Sequence, residues 1–272
     1  MANALLFRPL DWATITASNT ASGFAASNLA PHPVPRMGRI WRSSTGSATR
    51  SLTIDLGSDQ PLDTIALFGI ASAGGAPGAG WTWSIDLATA AQGAFSGAFW
   101  AGSSATLLAG TVRPVSGKGK ALWLAPDGAP AAARYVRINF ANLASAAIDV
   151  ALAAIGQRFQ PERNYAYGAA FGVRDLGTLD YSPRGVVLRR PGAKLRGMGL
   201  TFRSVHRDEV ETTLQRLLER LGNTDPVVLI SDPDAHPQRE NRMGIGHLTG
   251  NLGTVHRVPG FFQSEINFVA VD

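Results

Sequence analysis

Between Arg50 and Gly57 the sequence RSLTIDLG sets Leu52, Ile54 and Leu56 against Ser51, Thr53 and Asp55, and then stops at a glycine. A two-residue period of this kind suits a strand with one buried and one wet face, and it does not suit a helix. The pattern recurs along the first half. WTWSIDLAT (81–89) alternates again, RYVRINFANL sets Val136 and Ile138 opposite Tyr135, and IDVALAAIG closes the series. TIALFGI (64–70) is almost continuously apolar, as expected of a strand covered on both faces. Turns such as GSDQPLD and APDGAP follow at short intervals, with no helical periodicity between them. Many short strands with Gly/Pro turns predict a β-sandwich or jelly roll.

The remaining bulk properties bound the function. With 272 residues, 45% hydrophobic and 17% charged, the chain is long and apolar enough for a large core. Its 25 Lys and Arg over 20 Asp and Glu give a formal charge of +5, yet no run of five like charges occurs. A phosphate footprint is normally clustered, so no specific nucleic-acid binding is expected. Cysteine is absent, which excludes disulfides, thiolate catalysis and Cys-based zinc sites. The amino-terminal apolar run is only Ala4 to Phe7, followed by Arg8, Pro9 and Asp11. That is too short for a signal-peptide core or a bilayer span, so a soluble chain made in a cytoplasm, without membrane insertion, is expected.

Composition changes near residue 157. Only 10 of the 25 basic and 7 of the 20 acidic residues precede it. RFQPERNYAYG (158–168) reads as a linker, giving domains 1–157 and 158–272. The second half carries the one strong helical pattern, about 208–221. Val210, Leu214, Leu217, Leu218 and Leu221 form its stripe, Asp208 and Glu211 a capping box, and Gly222 its stop. Strand-like stretches flank it: GVVLRRPG and KLRGMGLTFRS before, VVLIS, GIGHLTGNLGTVHRV and FFQSEINFVAVD after. The order predicts an α+β domain with a single helix on a sheet.

No constellation points to chemistry. The histidines His32, His206, His236, His247 and His256 show no HExxH spacing. Asp232, Asp234 and His236 alternate, but they lack the glycine turn and distal glutamate of a calcium loop, so a solvated turn is expected. There is no G-x-S-x-G elbow, and GAAFGVRDLGTLDYSPRG has no G-x-G-x-x-G order. Asp175 and Asp180 are an unspecific carboxylate pair. No catalytic residue, metal ligand or cofactor is assigned, and the chain is expected not to be an enzyme.

The series SNL, IWRSS, SLTIDLGS, LDTIALFG, ARYVRINF and IDVALAAIG resembles, in its order, the discoidin-like, galactose-binding-type β-sandwich family, over roughly residues 10 to 157. It is most similar to the versions carried by long-tailed bacteriophage proteins. The second half, by element order and DPVVLISDPD, resembles the tube-type β-sandwich of phage tail-tube and distal-tail proteins. Together these imply a mainly β protein: a discoidin-like jelly roll followed by an α+β, tail-tube-like sandwich with one helix. They also imply a structural virion component of a siphophage tail tip or baseplate, assembled in the host cytoplasm. It would form a six-fold or three-fold ring with itself and contact the tail tube protein and a baseplate hub or fibre protein. Residues 159–272 alone would then still assemble. The alternative implied by the first half is a carbohydrate-binding module for host surface glycans.

Two segments carry the candidate contacts. NLAPHPVPRMGRIWRS (28–43) is stiffened by Pro31, Pro33 and Pro35 and combines cations with an aromatic ring. Under the resemblance it is a rim loop, with Asn28, His32, Arg36, Arg39, Trp41 and Arg42 facing a partner or glycan. The competing expectation makes Trp41 a sandwich-end plug and pairs Arg42 with a local carboxylate. RGVVLRRPGAKLRG (184–197) gathers cations around a turn. It is either a solvated hairpin with edge cations, or a channel-facing loop or subunit contact through Arg189, Arg190, Lys194 and Arg196, with Glu209, Glu211 and Glu219 as partners in a ring.

Overall fold

The alternating strands assemble as expected into a sandwich. In the computed structural model, which describes residues 2–32, 34–73 and 75–271, its front sheet orders Thr14–Ala17, Arg50–Pro61, Ala132–Ala141, Thr82–Ala88 and Trp100–Ala101. Ala105–Thr106 adds to Thr82–Ala88. The middle sheet orders Leu152–Gly156, Thr64–Ser72, Ile148–Val150 and Trp41–Arg42, with Gly119–Leu124 on Thr64–Ser72. The pairings within both sheets are antiparallel. Leu52, Ile54, Trp83, Ile85, Val136 and Ile138 meet Ile65, Leu67, Ile148 and Val150 in the core between the sheets. The molecule is mainly β.

The middle sheet is buried on its other face as well. Ala66, Phe68, Leu152 and Ala154 point away from the sandwich core and pack on Leu5, Phe7, Val228, Ile230, Met243 and Ile245 of a third, rear sheet. This second covering is why TIALFGI lacks alternation. A bulge makes the switch of faces possible. Gly69, at φ +69°, interrupts the register between Phe68 and Ile70, so Phe68 faces the rear sheet and Ile70 the sandwich core. A Cβ on Gly69 would lie 2.5 Å from that of Ala151, so the position admits only glycine.

The rear sheet orders Leu5–Phe7, Val227–Ile230, Met243–Thr249, Phe261–Ala270, Lys194–His206 and Ala170–Asp175, with Thr254–Val258 on Phe261–Ala270. Its far face carries the helical segment 207–221. Val210, Leu214, Leu218 and Leu221 are buried there against Leu200, Phe202, Leu229, Ile266 and Phe268, while Leu217 is only half-buried. The helix begins one residue earlier than the sequence suggests, and its middle turn, Val210–Leu214, is widened to π geometry. The expected Asp208/Glu211 capping box does not form. Because the strand runs straight into the helix at His206, Glu209 sits at the third helical position and accepts from His206 N at 3.1 Å.

The composition break at 157 does not separate the two halves in space. Leu5–Phe7 pairs antiparallel with Val227–Ile230 and is bridged by Phe159 through Leu6. An amino-terminal strand of the first half thus completes the sheet of the second. Short apolar runs carry no address, so nothing in ALLF itself says which sheet it joins. Among the described residues no helix is long and apolar enough to cross a membrane.

Candidate functional site

The loop 28–43 is anchored from below and exposed only in part. Leu29, Pro31 and Pro35 are buried, and Pro33 lies outside the described residues. Asn28 Nδ2 donates to Ile40 O at 2.9 Å, and His32 Nε2 lies 3.0 Å from Pro9 O. Trp41 is fully buried, 6.0 Å from the Phe140 ring centre, with Nε1 donating to Thr20 Oγ1 at 3.2 Å. It plugs the sandwich and offers no face to a ligand, which corrects its placement on the rim. Arg42 makes a two-pronged contact with Asp149 at 2.6 and 2.7 Å while its guanidinium covers the Phe24 ring. Arg36 and Arg39 alone of the six expected rim residues are exposed.

This division makes a direct prediction. The Asp149 side chain is 7% exposed and that of Arg42 28%, so Arg42→Ala strands a buried carboxylate. The expected loss is about 3 kcal/mol in chemical denaturation, at the lower end of the range for broken buried pairs. Arg36→Ala with Arg39→Ala should stay within about 0.5 kcal/mol of the parent. Equal effects of the two changes would contradict the anchoring described above.

A different surface brings aromatic rings and hydrogen-bonding groups together. On the outer face of the front sheet, Arg137 Nε and Nη2 donate to Asp86 at 2.9 and 2.8 Å, and Asn139 Nδ2 donates to the same carboxylate at 2.8 Å. The Arg137 guanidinium lies 4.3 Å from the centre of Phe95 and 4.9 Å from that of Phe99. Tyr135 flanks Phe95 at 6.5 Å, and Arg134 grips Asp55 at 2.8 and 3.0 Å. The Arg134 hydrogen bonds hold the Asp55 carboxyl below its usual range. Phe95 adopts φ +62°, a costly left-handed conformation for a bulky residue, so the loop is held in place against its own preference. Sequence reasoning missed this cluster because Phe95 and Phe99 sit in an Ala/Gly/Ser-rich stretch without period. The alternation that put Tyr135, Arg137 and Asn139 on one face was the only signal available.

The third candidate is an arm. From Ala170 to Lys194 almost every residue is exposed, including Phe171, Val173, Leu176, Leu179, Tyr181, Val186, Val187 and Leu188. Thr178–Tyr181 and Val187–Arg190 pair only with each other, outside the three sheets. Arg189, Arg190 and Lys194 belong to this arm and make no ion pair among the described residues. The other expected interface residues are placed differently. Arg196 is half-buried and donates through Nη2 to Asn241 O. Glu209 accepts from the backbone of Glu162 and His206, and Glu211 pairs with Arg207 at 2.7 Å. Both carboxylates are therefore engaged within the chain and are not free partners for the arm.

The alternating Asp232, Asp234 and His236 serve as turn staples. Asp232 accepts from Asp234 N and pairs with Arg242, Asp234 accepts from Ala2 N at 2.7 Å, and His236 Nδ1 accepts from Gln238 N at 3.0 Å. Among the described residues no group of three or more His, Cys, Asp or Glu is placed to hold a metal ion.

No protein-family description matches the chain, and no curated protein matches it. Among solved structures it is similar to chitosan-binding module 1 from a chitosanase/glucanase of Paenibacillus sp. IK-5. That match has 17% identity and a TM-score of 0.39 and covers 55% of this chain and 97% of the other. The CBM32 of AlyQ, in complex with 4,5-unsaturated mannuronic acid, matches at 22% identity and a TM-score of 0.36, over 55% and 98% of the two chains. A Ruminococcus gnavus GH29 fucosidase matches at 12% identity and a TM-score of 0.39, over 54% of this chain and 25% of its own, so the chain spans about a quarter of that enzyme. Similarity at this level carries neither a family nor a ligand to the chain.

Proposed function

We propose that the chain is a structural subunit that assembles with copies of itself through the rear sheet and its arm. The observation that carries this reading is the arm, a two-stranded ribbon outside the three sheets with large apolar side chains exposed. An isolated hairpin is at best marginally stable in water, and exposed apolar surface of this extent marks an interaction site. The rear sheet supports the same reading. Ala170–Asp175 on one side and Thr254–Val258 on the other each pair with a single strand, so each leaves an outer edge open among the described residues. Exposed Phe171 and Val173 stand on the first edge, Val255 and Val258 on the second. Open edges on opposite sides allow head-to-tail addition, which closes into a ring where the rotation between copies permits. The finer setting is a ring at the distal end of a phage tail tube, with a neighbouring hub or fibre protein attached, and it rests on the sequence resemblance alone.

A second reading has its own observation. The Phe95, Phe99 and Tyr135 rings beside Asn139 and Ser84 provide the apolar face with adjacent hydrogen-bonding groups that saccharide recognition requires. In this reading the front sheet of the first sandwich is a glycan-contact face displayed by the assembly.

Light scattering coupled to size exclusion, with negative-stain imaging, tests the leading reading. The full chain at tens of micromolar is expected to run as a closed oligomer. A monomer under these conditions, together with saccharide binding that is lost in Asn139→Ala, would replace it with the glycan-module reading.

A further inference from the structure

Where the helical segment 207–221 meets the first sandwich, a cleft of about 630 Å³ opens, within the usual range for ligand sites. It is lined by four arginines, Arg8, Arg158, Arg216 and Arg220. Arg8 is fixed by Asp225 at 3.0 Å, and Arg158 faces Asp63 at 3.9 Å. Arg216 and Arg220 stand one helical turn apart and are exposed. Among the described residues neither has a hydrogen-bond or ion-pair partner. The walls hold two carboxylates, Asp208 and Glu209, the latter accepting from the Glu162 and His206 backbone N–H groups. The four guanidinium groups outnumber the two lining carboxylates, and among the described residues Arg216 and Arg220 are the ones without a partner. Leu10, Pro61 and Leu217 line it beside the charges, and its one aromatic residue, Phe159, is buried.

We propose that this cleft binds an acidic peptide segment of a partner protein, with carboxylates on Arg216 and Arg220 and apolar side chains on Leu10, Pro61 and Leu217. Guanidinium groups recognise carboxylates in a planar, two-pronged way and are more weakly hydrated than ammonium groups. The lack of an exposed ring favours a peptide over an acidic saccharide, since pyranose recognition relies on stacking against an aromatic face. The proposal does not rest on self-assembly, because the cleft's lining includes no residue of the arm or of the open strands Ala170–Asp175 and Thr254–Val258.

The test is fluorescence anisotropy of the full chain with a labelled ten-residue peptide of alternating Glu and Leu. Binding is expected to weaken as salt rises, and to fall by about tenfold or more in the double variant Arg216→Ala, Arg220→Ala, the scale of two partly solvated charge pairs. Melting by circular dichroism checks that the variant is folded; should it not be, Arg216→Gln with Arg220→Gln gives the same reading. No binding to the parent, or equal binding to the folded variant, overturns the proposal. So does equal binding of the peptide with Lys in place of Glu. Loss of the peptide in Arg189→Ala, Arg190→Ala instead would move the site to the arm, and tetragalacturonate displacing the peptide at equal or lower concentration would make the ligand an acidic saccharide.

Discussion

Under the proposed assembly, glutamate at both Leu179 and Val187 is expected to leave the chain a folded monomer. Leu179 pairs across the ribbon with Arg189, and Tyr181 with Val187, so Leu179, Tyr181 and Val187 share one face of the arm. Leu179, Tyr181 and Val187 are all exposed, so the isolated subunit loses no packing when they change. Stability should move by no more than about 0.5 kcal/mol. Association is a different matter. An apolar anchor at the centre of an interface is worth about 2 kcal/mol or more, and a charge buried in its place adds a desolvation cost. Two such changes weaken association by about a thousandfold, enough to empty the oligomer at micromolar concentration. Size exclusion with light scattering reads the mass, and thermal melting reads the fold. An unchanged oligomer would place the contact elsewhere than on the arm.

The arm also shows where sequence reading stops. Its cations were visible in RGVVLRRPGAKLRG, and so was a strand in GVVLRR. The partner strands in AFGVRD and TLDY were hidden, because a ribbon exposed on both faces has no buried side to impose alternation. By contrast, RSLTIDLG has one wet and one dry face, and its period reported this directly. TIALFGI reported its two coverings through the absence of a period, although not what the second covering was. Gly69 sets that answer, and a single glycine in an apolar run does not announce a bulge.

The candidate site was legible in a similar, partial way. Arg42 and Trp41 stood out as types common at interfaces, and both are consumed by the fold, one on Asp149 and the other against Phe140. Residue type alone cannot separate a plug from a platform, since both want a large ring. What separates them is the partner, and Asp149 lies 107 positions away in sequence. The Arg137 cluster is subject to the same limit. Asp86 and Arg137 meet only because Thr82–Ala88 and Ala132–Ala141 are neighbours in the front sheet.

The largest stability effect is expected at Phe68. Its ring is fully buried in the layer between the middle and rear sheets, among Phe7, Leu152, Val228 and Met243. Removing it leaves a cavity between two strand faces that cannot collapse, because each is held by its own sheet. Phe68→Ala should therefore cost about 3–5 kcal/mol, a large fraction of a typical folding free energy. The layer is braced by polar contacts that cross the same junction. Arg113 pairs with the fully buried Glu240, whose carboxyl is pushed up by burial, Lys120 Nζ donates to Met243 O at 2.7 Å, and Arg239 Nε donates to Ala109 O at 2.7 Å. With an apolar core and paired charges shared between the halves, unfolding one half exposes the face of the other. Urea denaturation should thus show one transition, by both tryptophan fluorescence and circular dichroism, and Phe68→Ala should shift all of it. On the same ground, residues 159–272 alone are expected not to fold stably. That fragment lacks Leu5–Phe7, the edge strand of its own sheet, and bares Val228, Ile230, Met243 and Ile245 to water. Two separate transitions, with only one of them moved by Phe68→Ala, would show that the halves fold independently and that the shared layer contributes little to either.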